Sequence, residues 1–458
     1  MKPNAETIKR ETDKLDGYRQ ELEQYRREHQ NLMLLLNVTR NISRELKLDR
    51  LLMLIMDEVI KVLNCDRCTV FVLDRDKHEL WSKVAHGEKE IRFPSHLGIA
   101  GHVATTGEVL NIPDAYSDER FNSEIDRKTG YHTRNILTAP MKNSLGEIIG
   151  VFQALNKAGG PFTVDDEQLL DAISVISASQ VENAQLYDEQ KKTFDSFVET
   201  LASTIDARDP MTAGHSKRIA MYADEVAQVE NLTQQEREVL RTAALLHDYG
   251  KIAVREAVLT KDGKLTDEEF KHIQSHPGFT KSILEKINFS RELADVPLVA
   301  ASHHEKLDGT GYPSGLANGQ IPKLGKILAV VDVFDALTSK RHYRDRMEFQ
   351  KVIQILDKEA GTHFDEAFVL AFKKIKLDRL LLVLEEEHNG RVARADLEFL
   401  SQFDTFDLLA TIQAEQPDSK QLRVRRTFVR YYSRDYIKGQ ENEKSDLHGQ
   451  SAQGHGAI

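Results

Sequence analysis

The sequence predicts a multidomain protein in which an α+β domain, an antiparallel sheet with flanking helices, is joined by a long helix to an all-α bundle. Three observations carry this reading. Short apolar or alternating runs, separated by Gly, Asp, Asn and Pro, fill residues 67 to 155. From about 190 to 385 nearly every periodic segment repeats at helical spacing. Between the two, a helical pattern begins at Asp166 and passes through Ile173, Ile176, Val181, Leu186, Phe194, Phe197, Leu201 and Ile205, with no Gly or Pro before Pro210. At 458 residues the chain also exceeds what one ordinary core accommodates.

The first ~60 residues read as helix. Leu15, Tyr18, Leu22, Tyr25, His29, Leu32 and Leu36 alternate in steps of three and four, the a/d spacing of a coiled coil. A homodimer through these helices is the expectation; the other reading is a solvated helix folded back on its own domain. Leu51, Leu52, Ile55, Met56, Val59 and Ile60 form one apolar face, the mark of a helix lying on a sheet. CTVFVLD, LWSKVAHG, VLNIPDA, RNILTAPM and GEIIGVFQALNK then read as strands. LTQQE and LTDEE each set a Thr ahead of acidic residues, as helix N-caps do. The expected divisions are residues 1–36 (helix), 37–187 (α+β domain), 188–385 (helical domain with the linker helix), 386–437 (further helix) and 438–458 (a disordered polar tail).

Charge and cysteine usage narrow the partners. A net charge of -11 argues against a nucleic-acid polymer, while a small anionic ligand in a local basic pocket remains compatible. The only two cysteines, Cys65 and Cys68, cannot form a disulfide framework, which suits a reducing cytoplasm. Their C-x-x-C spacing lacks the second pair of a zinc knuckle, so they read as small residues at the start of a strand. No apolar run approaches the roughly 18 to 20 residues of a membrane span, and the N-terminus lacks the apolar centre of a secretory signal. The expectation is a soluble cytoplasmic protein with no membrane partner.

The chemistry concentrates in seven residues. His215, His247, His276, His303, His304, Asp248 and Asp332 each lie within or just beyond an apolar helical stretch, which points them inward. An inward His or Asp needs a partner, and a metal ion satisfies several at once. Five imidazoles and two carboxylates exceed the needs of one cation and suit two, since a carboxylate bridges ions about 3.5–4 Å apart. Any one of these histidines alone would read as a hydrogen-bonded core residue. His272, one helical turn before His276 but among charged neighbours, reads as exposed.

The HD dyad followed by Gly250-Lys251-Ile252, then HPGF, HHEKLDGTGYPSGL and DVFDALTSKRHYR, strongly resembles the HD-GYP family over roughly residues 195 to 370. The resemblance implies a helical bundle in which His215, His247 and Asp332 hold one metal, His276, His303 and His304 the other, and Asp248 bridges. Lys251, three residues after Asp248 on the same side of a helix, is expected to meet a phosphate oxygen. Gly311, Tyr312 and Pro313 would shape the substrate mouth. Arg341 and Arg344 would contact phosphate or guanine; exposed helix-end charge is their other reading. Family members that resemble three-metal enzymes carry a Glu one turn before the first His; Met211 stands there, and a thioether is no hard oxygen ligand, so two metals are expected. Iron and manganese lead the candidates, with nickel, cobalt and zinc also suited.

The segment GIAGHVATTGEVLNIPDAYSDERFNSEIDRKTGYHTRNILTAPM resembles GAF domains, particularly those of cyclic-nucleotide phosphodiesterases. Asn156, Lys157, Phe162, Asp166 and Glu167 match the N-K…F-x-x-x-D-E pattern of cyclic-nucleotide-binding GAF domains. Lys157 and Asp166 are expected to pair and lock a loop without touching ligand. The resemblance implies cyclic AMP or cyclic GMP as ligand; an empty or purely dimerising pocket is the alternative. Together the resemblances imply metal-dependent hydrolysis of cyclic di-GMP to pGpG under control of a GAF ligand, with pGpG or GMP left open as the final product. The alternatives are a cyclic-dinucleotide receptor with little turnover, and a phosphodiesterase for another cyclic dinucleotide such as cyclic GMP-AMP.

Overall fold

Alternating apolar residues build a single sheet in the first part of the chain. A computed structural model describes residues 5–82, 91–208, 214–261, 263–339, 346–386 and 392–433. It divides into two compact units, Met1–Thr193 and Phe194–Ile458. The first contains α1 (Ala5–Ile42), α2 (Leu48–Leu63), β1 (Cys65–Asp74), β2 (Glu79–Ser82), β3 (Ile91–Pro94), α3 (Gly98–Thr106), β4 (Leu110–Ile112), α4 (Ser123–Thr129), β5 (Ile136–Lys142), β6 (Ile148–Lys157) and the start of α5 (Val164–Arg208). The six strands run in the order β3-β2-β1-β6-β5-β4 with every pair antiparallel.

Residues of one parity on β1, Cys68, Val70 and Val72, join Leu137, Ala139, Met141, Phe152 and Ala154 beneath α2 and the start of α5. Phe71 and Val151, of the opposite parity, pack with Ala100 and Val103 of α3. Both thiols are free and buried at the start of β1. Strand β3 has no counterpart in the sequence reading; its four residues alternate weakly and are mostly exposed. The first 60 residues are also not one helix. The break between α1 and α2 lets Val38 and Ile42 share a core with Leu51, Leu52 and Ile55, which a straight helix could not do. Upstream, Leu15, Tyr18, Leu22, Tyr25, Leu32 and Leu36 are exposed.

The second unit is helical: α6 (His215–Val229), α7 (Gln234–Leu246), α8 (Glu256–Leu259), α9 (Asp267–Gln274), α10 (His276–Leu284), α11 (Val296–Ala301), α12 (Lys323–Thr338), α13 (Phe349–Glu359), α14 (Glu366–Lys373) and α15 (Leu377–Leu384). Beyond them lie α16 (Arg394–Leu400), α17 (Thr405–Gln413) and α18 (Ser419–Tyr432). The Thr signals become capping boxes: Thr233 with Glu236 opens α7, and Thr266 with Glu269 opens α9. Tyr222 of α6 packs edge-on to Phe334 and Phe372, which anchors α6 against α12 and α14. The last helices share this core through Leu400, Leu408, Val424 and Phe428. Among the described residues, no helix is long and apolar enough to cross a membrane.

Candidate metal centre

Helix ends supply most of the site. His215 is the first residue of α6, His247 closes α7, and His276 opens α10 beside Pro277. His303 and His304 follow α11, whereas Asp332 sits inside α12. After Asp248 the chain enters a 3-10 turn, Tyr249–Ala253, and not the α-helix expected around Lys251. The reason is close packing. A Cβ on Gly250 would lie 2.0 Å from the His276 carbonyl oxygen and 2.4 Å from the Thr280 nitrogen, so only glycine admits this approach to α10. Thr280 locks the contact, accepting from Gly250 N and donating to the His247 carbonyl.

The structure brings all seven predicted residues together. Asp248 faces two ways: its Oδ1 lies 3.2 Å from His276 Nε2 and 3.9 Å from His303 Nε2, and its Oδ2 lies 3.7 Å from His215 Nε2 and 3.5 Å from His247 Nε2. Asp332 Oδ1 is 3.3 Å from His215 Nε2 and 4.0 Å from His247 Nε2, with Oδ2 3.9 Å from His304 Nδ1. Within each of the groups His276–His303–His304 and His215–His247–Asp332, donor atoms lie within 4.8 Å of one another. Donors bound near 2.1 Å around one ion stand about 3–4 Å apart, so both groups fit a divalent metal. His247 Nε2 supports this fit, because it is buried and has no hydrogen-bond partner.

Tautomers are set from behind. The Nδ1 atoms of His247, His276 and His303 lie 2.7–2.8 Å from the carbonyls of Ala244, Ile273 and Ala300, which take the N–H and leave each Nε2 lone pair facing the cluster. For His215 the same task falls to Asp335, whose Oδ2 is 2.8 Å from Nδ1. Arg218 in turn holds Asp335 through Nε at 2.8 Å and Nη2 at 3.0 Å. The sequence reading missed Asp335 and Arg218, although a second Asp three residues beyond Asp332 in an apolar helix signals a buried partner. Burial, then neighbouring imidazoles, pushes His303 well below the ordinary histidine range and His304 down to about 4. Burial opposes charge on His215 too, but Asp332 and Asp335 hold it up at about 10. Asp248 stays well below the carboxylate range despite burial, because Lys251 and the histidines face it.

Lys251 Nζ sits 2.7 Å from Asp248 Oδ2. The Tyr312 ring lies against His304 with centroids 4.7 Å apart. Gly311 permits this, since a Cβ there would come within 2.4 Å of Lys306 N. Buried Glu305 ties the loop by accepting from Ser314 N and Leu316 N, each at 2.8 Å. His272 is half-buried rather than exposed, because its Nε2 accepts from Arg255 N. Arg341, Arg344 and Met211 lie outside the described residues.

In the first unit, Lys157 Nζ meets Asp166 Oδ1 at 2.7 Å and the Leu63 carbonyl at 3.2 Å. Asn156, at φ +57°, accepts from Arg134 N and donates to the Tyr131 hydroxyl and His132 carbonyl. Asn111 links the Phe162 carbonyl to Glu167. Through the Lys157 bonds the ends of α2 and β6 are joined to the start of α5.

Comparison with known proteins agrees with this layout. The GAF domain model matches residues 47–181 and the HD domain model residues 199–368. A 3'3'-cGAMP-specific phosphodiesterase of Vibrio cholerae is 41% identical over 177 residues, 39% of this chain and 38% of that protein. A cyclic di-GMP phosphodiesterase of the same organism is 36% identical over 201 residues, 41% of each chain. A dual 3',5'-cyclic-AMP and -GMP phosphodiesterase of Takifugu rubripes is 38% identical over 186 residues, 37% of this chain and 21% of that protein. The chain thus spans about two fifths or less of the length of these relatives.

Proposed function

We propose that this chain, a GAF domain followed by an HD domain, is a two-metal phosphodiesterase that opens cyclic di-GMP to pGpG, with GMP the product where the linear dinucleotide is cut again. The observation that carries the reading is Asp248, whose two oxygens face two separate histidine groups. Divalent ions, iron or manganese first, would supply Lewis acidity there and lower the pKa of water. His215, His247 and Asp332 would hold one ion, His276, His303 and His304 the other, and Asp248 would serve both. Lys251 sets a cation beside the bridge, where it offsets negative charge growing on a phosphoryl oxygen. Gly311 and Tyr312 shape the mouth beside His304, and Arg341 and Arg344 bind phosphate or guanine. The exposed seam of α1 pairs two copies, and the GAF domain, matched over residues 47–181, takes cyclic AMP or cyclic GMP.

A second reading, hydrolysis of the mixed cyclic GMP-AMP, is favoured by two Vibrio relatives named as specific for that dinucleotide. Metal analysis of anaerobically prepared protein, paired with product chromatography on both dinucleotides, decides between them. We expect about two metals per chain and a kcat/KM for cyclic di-GMP at least ~10-fold above that for cyclic GMP-AMP, about 1.4 kcal/mol of discrimination. The opposite ranking selects the second reading; binding without turnover makes the protein a receptor.

A further inference from the structure

Two segments of the metal centre are tied to an element that carries none of its ligands. Helix α5 ends at Arg208. Asp206, in its last turn, is buried and accepts from Ser216 Oγ at 2.8 Å and from Ser216 N at 3.4 Å. Ser216 follows His215, the first residue of α6, whose N-cap is Gly214 and therefore has no side chain to cap with. Asp206 thus caps from outside the helix that His215 opens. Two residues later, Arg208 donates to the carbonyls of Lys251 at 3.4 Å, of Ile252, and of Val254 at 2.8 Å. Those carbonyls belong to the 3-10 turn that follows His247 and Asp248 and carries Lys251, and to the residue just beyond it. Within the turn the Lys251 carbonyl accepts from Val254 N at 3.0 Å, and the guanidinium fork of Arg208 suits several carbonyls at once. Residues two apart on a helix face different directions, so one turn reaches both segments.

We propose that Asp206 and Arg208 are positioning residues of the metal centre: the last turn of α5 clamps the His215 segment against the Asp248–Lys251 segment and sets their spacing. The inference rests on the reading of these residues as metal ligands and of Lys251 as a phosphate contact. Neither clamp residue touches an ion or substrate; each fixes backbone from which a ligand or Lys251 projects. A displacement of about 1 Å in such a group is enough to cost on the order of a hundredfold in rate.

The test uses the full chain loaded with Mn2+, with chelator competition reading metal retention and steady-state kinetics on the cleaved cyclic dinucleotide reading catalysis. Asp206→Ala is expected to weaken Mn2+ retention about tenfold, the usual scale for groups that orient ligands. Asp206→Asn, which keeps an acceptor for Ser216, should stay within about twofold of wild type. Ser216→Ala removes the same bond from the other side and should weaken retention at least ~3-fold, which keeps the test open if Asp206→Ala does not fold. Arg208→Ala should lower kcat about tenfold with KM within about twofold. Arg208→Lys, a point cation without the fork, should recover less than half of that loss. Wild-type Mn2+ retention in Asp206→Ala or Ser216→Ala, together with wild-type kcat in Arg208→Ala, overturns the clamp even if the melting temperature falls, because ordinary end-capping predicts that result. If the wild-type chain cleaves no cyclic dinucleotide, the functional reading fails, while the Mn2+ measurements still decide the clamp.

Discussion

His215 differs from the other histidines in what holds its back. A carbonyl orients His247, His276 and His303, whereas a buried carboxylate orients His215. Asp335→Asn keeps the shape but replaces a charged acceptor by an amide, so the His215 ring loses its strongest constraint. We expect Mn2+ affinity to fall about 10- to 100-fold with kcat reduced in parallel, measured by chelator competition and initial rates. The GAF unit offers a pH test. Burial opposes charge on Asp166, but Lys157 and Thr163 outweigh it and hold its pKa below the ordinary value. A carboxylate with a depressed folded pKa contributes stability that is in place above its unfolded pKa and is lost as pH falls through the folded one. Asp166→Asn should therefore cost about 2 kcal/mol at pH 7, and the gap from wild type should close as the buffer is taken below the ordinary carboxylate range. A gap independent of pH in thermal melts would assign the loss to packing instead.

At the scale of elements, the contact between the 3-10 turn and α10 governs the bridge. Gly250 lets the turn settle against His276 and Thr280, which leaves Asp248 Oδ1 3.2 Å from His276 Nε2. Gly250→Ala must separate them, since the obstructing atoms are backbone and cannot swing away. Overpacking of this kind costs roughly 3 kcal/mol, and the variant should lose metal by elemental analysis even where circular dichroism reports native helix. The motif around Gly250 was legible in the sequence; the need for glycine was not, because it depends on how closely a helix 26 residues downstream, beginning at His276, approaches. Caps were legible for the opposite reason: Thr233 and Glu236 act within one turn of the same chain.

For the whole molecule, the boundary between the compact units falls inside α5, between Thr193 and Phe194. We propose that this helix, which carries no breaker across the boundary, transmits rotation, and we expect a ligand of the GAF domain to change turnover several-fold, a coupling of about 1 kcal/mol. Inserting two residues after Lys191 turns the downstream helix by about 200°. The insertion variant should bind the cyclic mononucleotide by calorimetry and no longer change its rate; an unaltered response would make α5 a tether. The seam of α1 makes a separate prediction. Leu22 and Leu32 are 51% and 55% exposed, so changing both to Glu disturbs no core and should convert a dimer to a monomer in light scattering.

The sequence by itself determined the two kinds of domain, the alternation of the sheet, the helix caps and the identity of the clustered donors. Each of these is written in residues that are near neighbours along the chain or belong to an ordered run of motifs. Tertiary structure decided what those donors face. His215 meets Asp335 across 120 residues, Asp248 presents its two oxygens to different histidines, and Asp206 and Arg208 reach into segments they do not belong to. Periodicity records which side of a helix is buried. It does not record which helix arrives there or how closely, and it is that approach, set by Gly250 and the packed core around Tyr222, that turns scattered histidines into a centre.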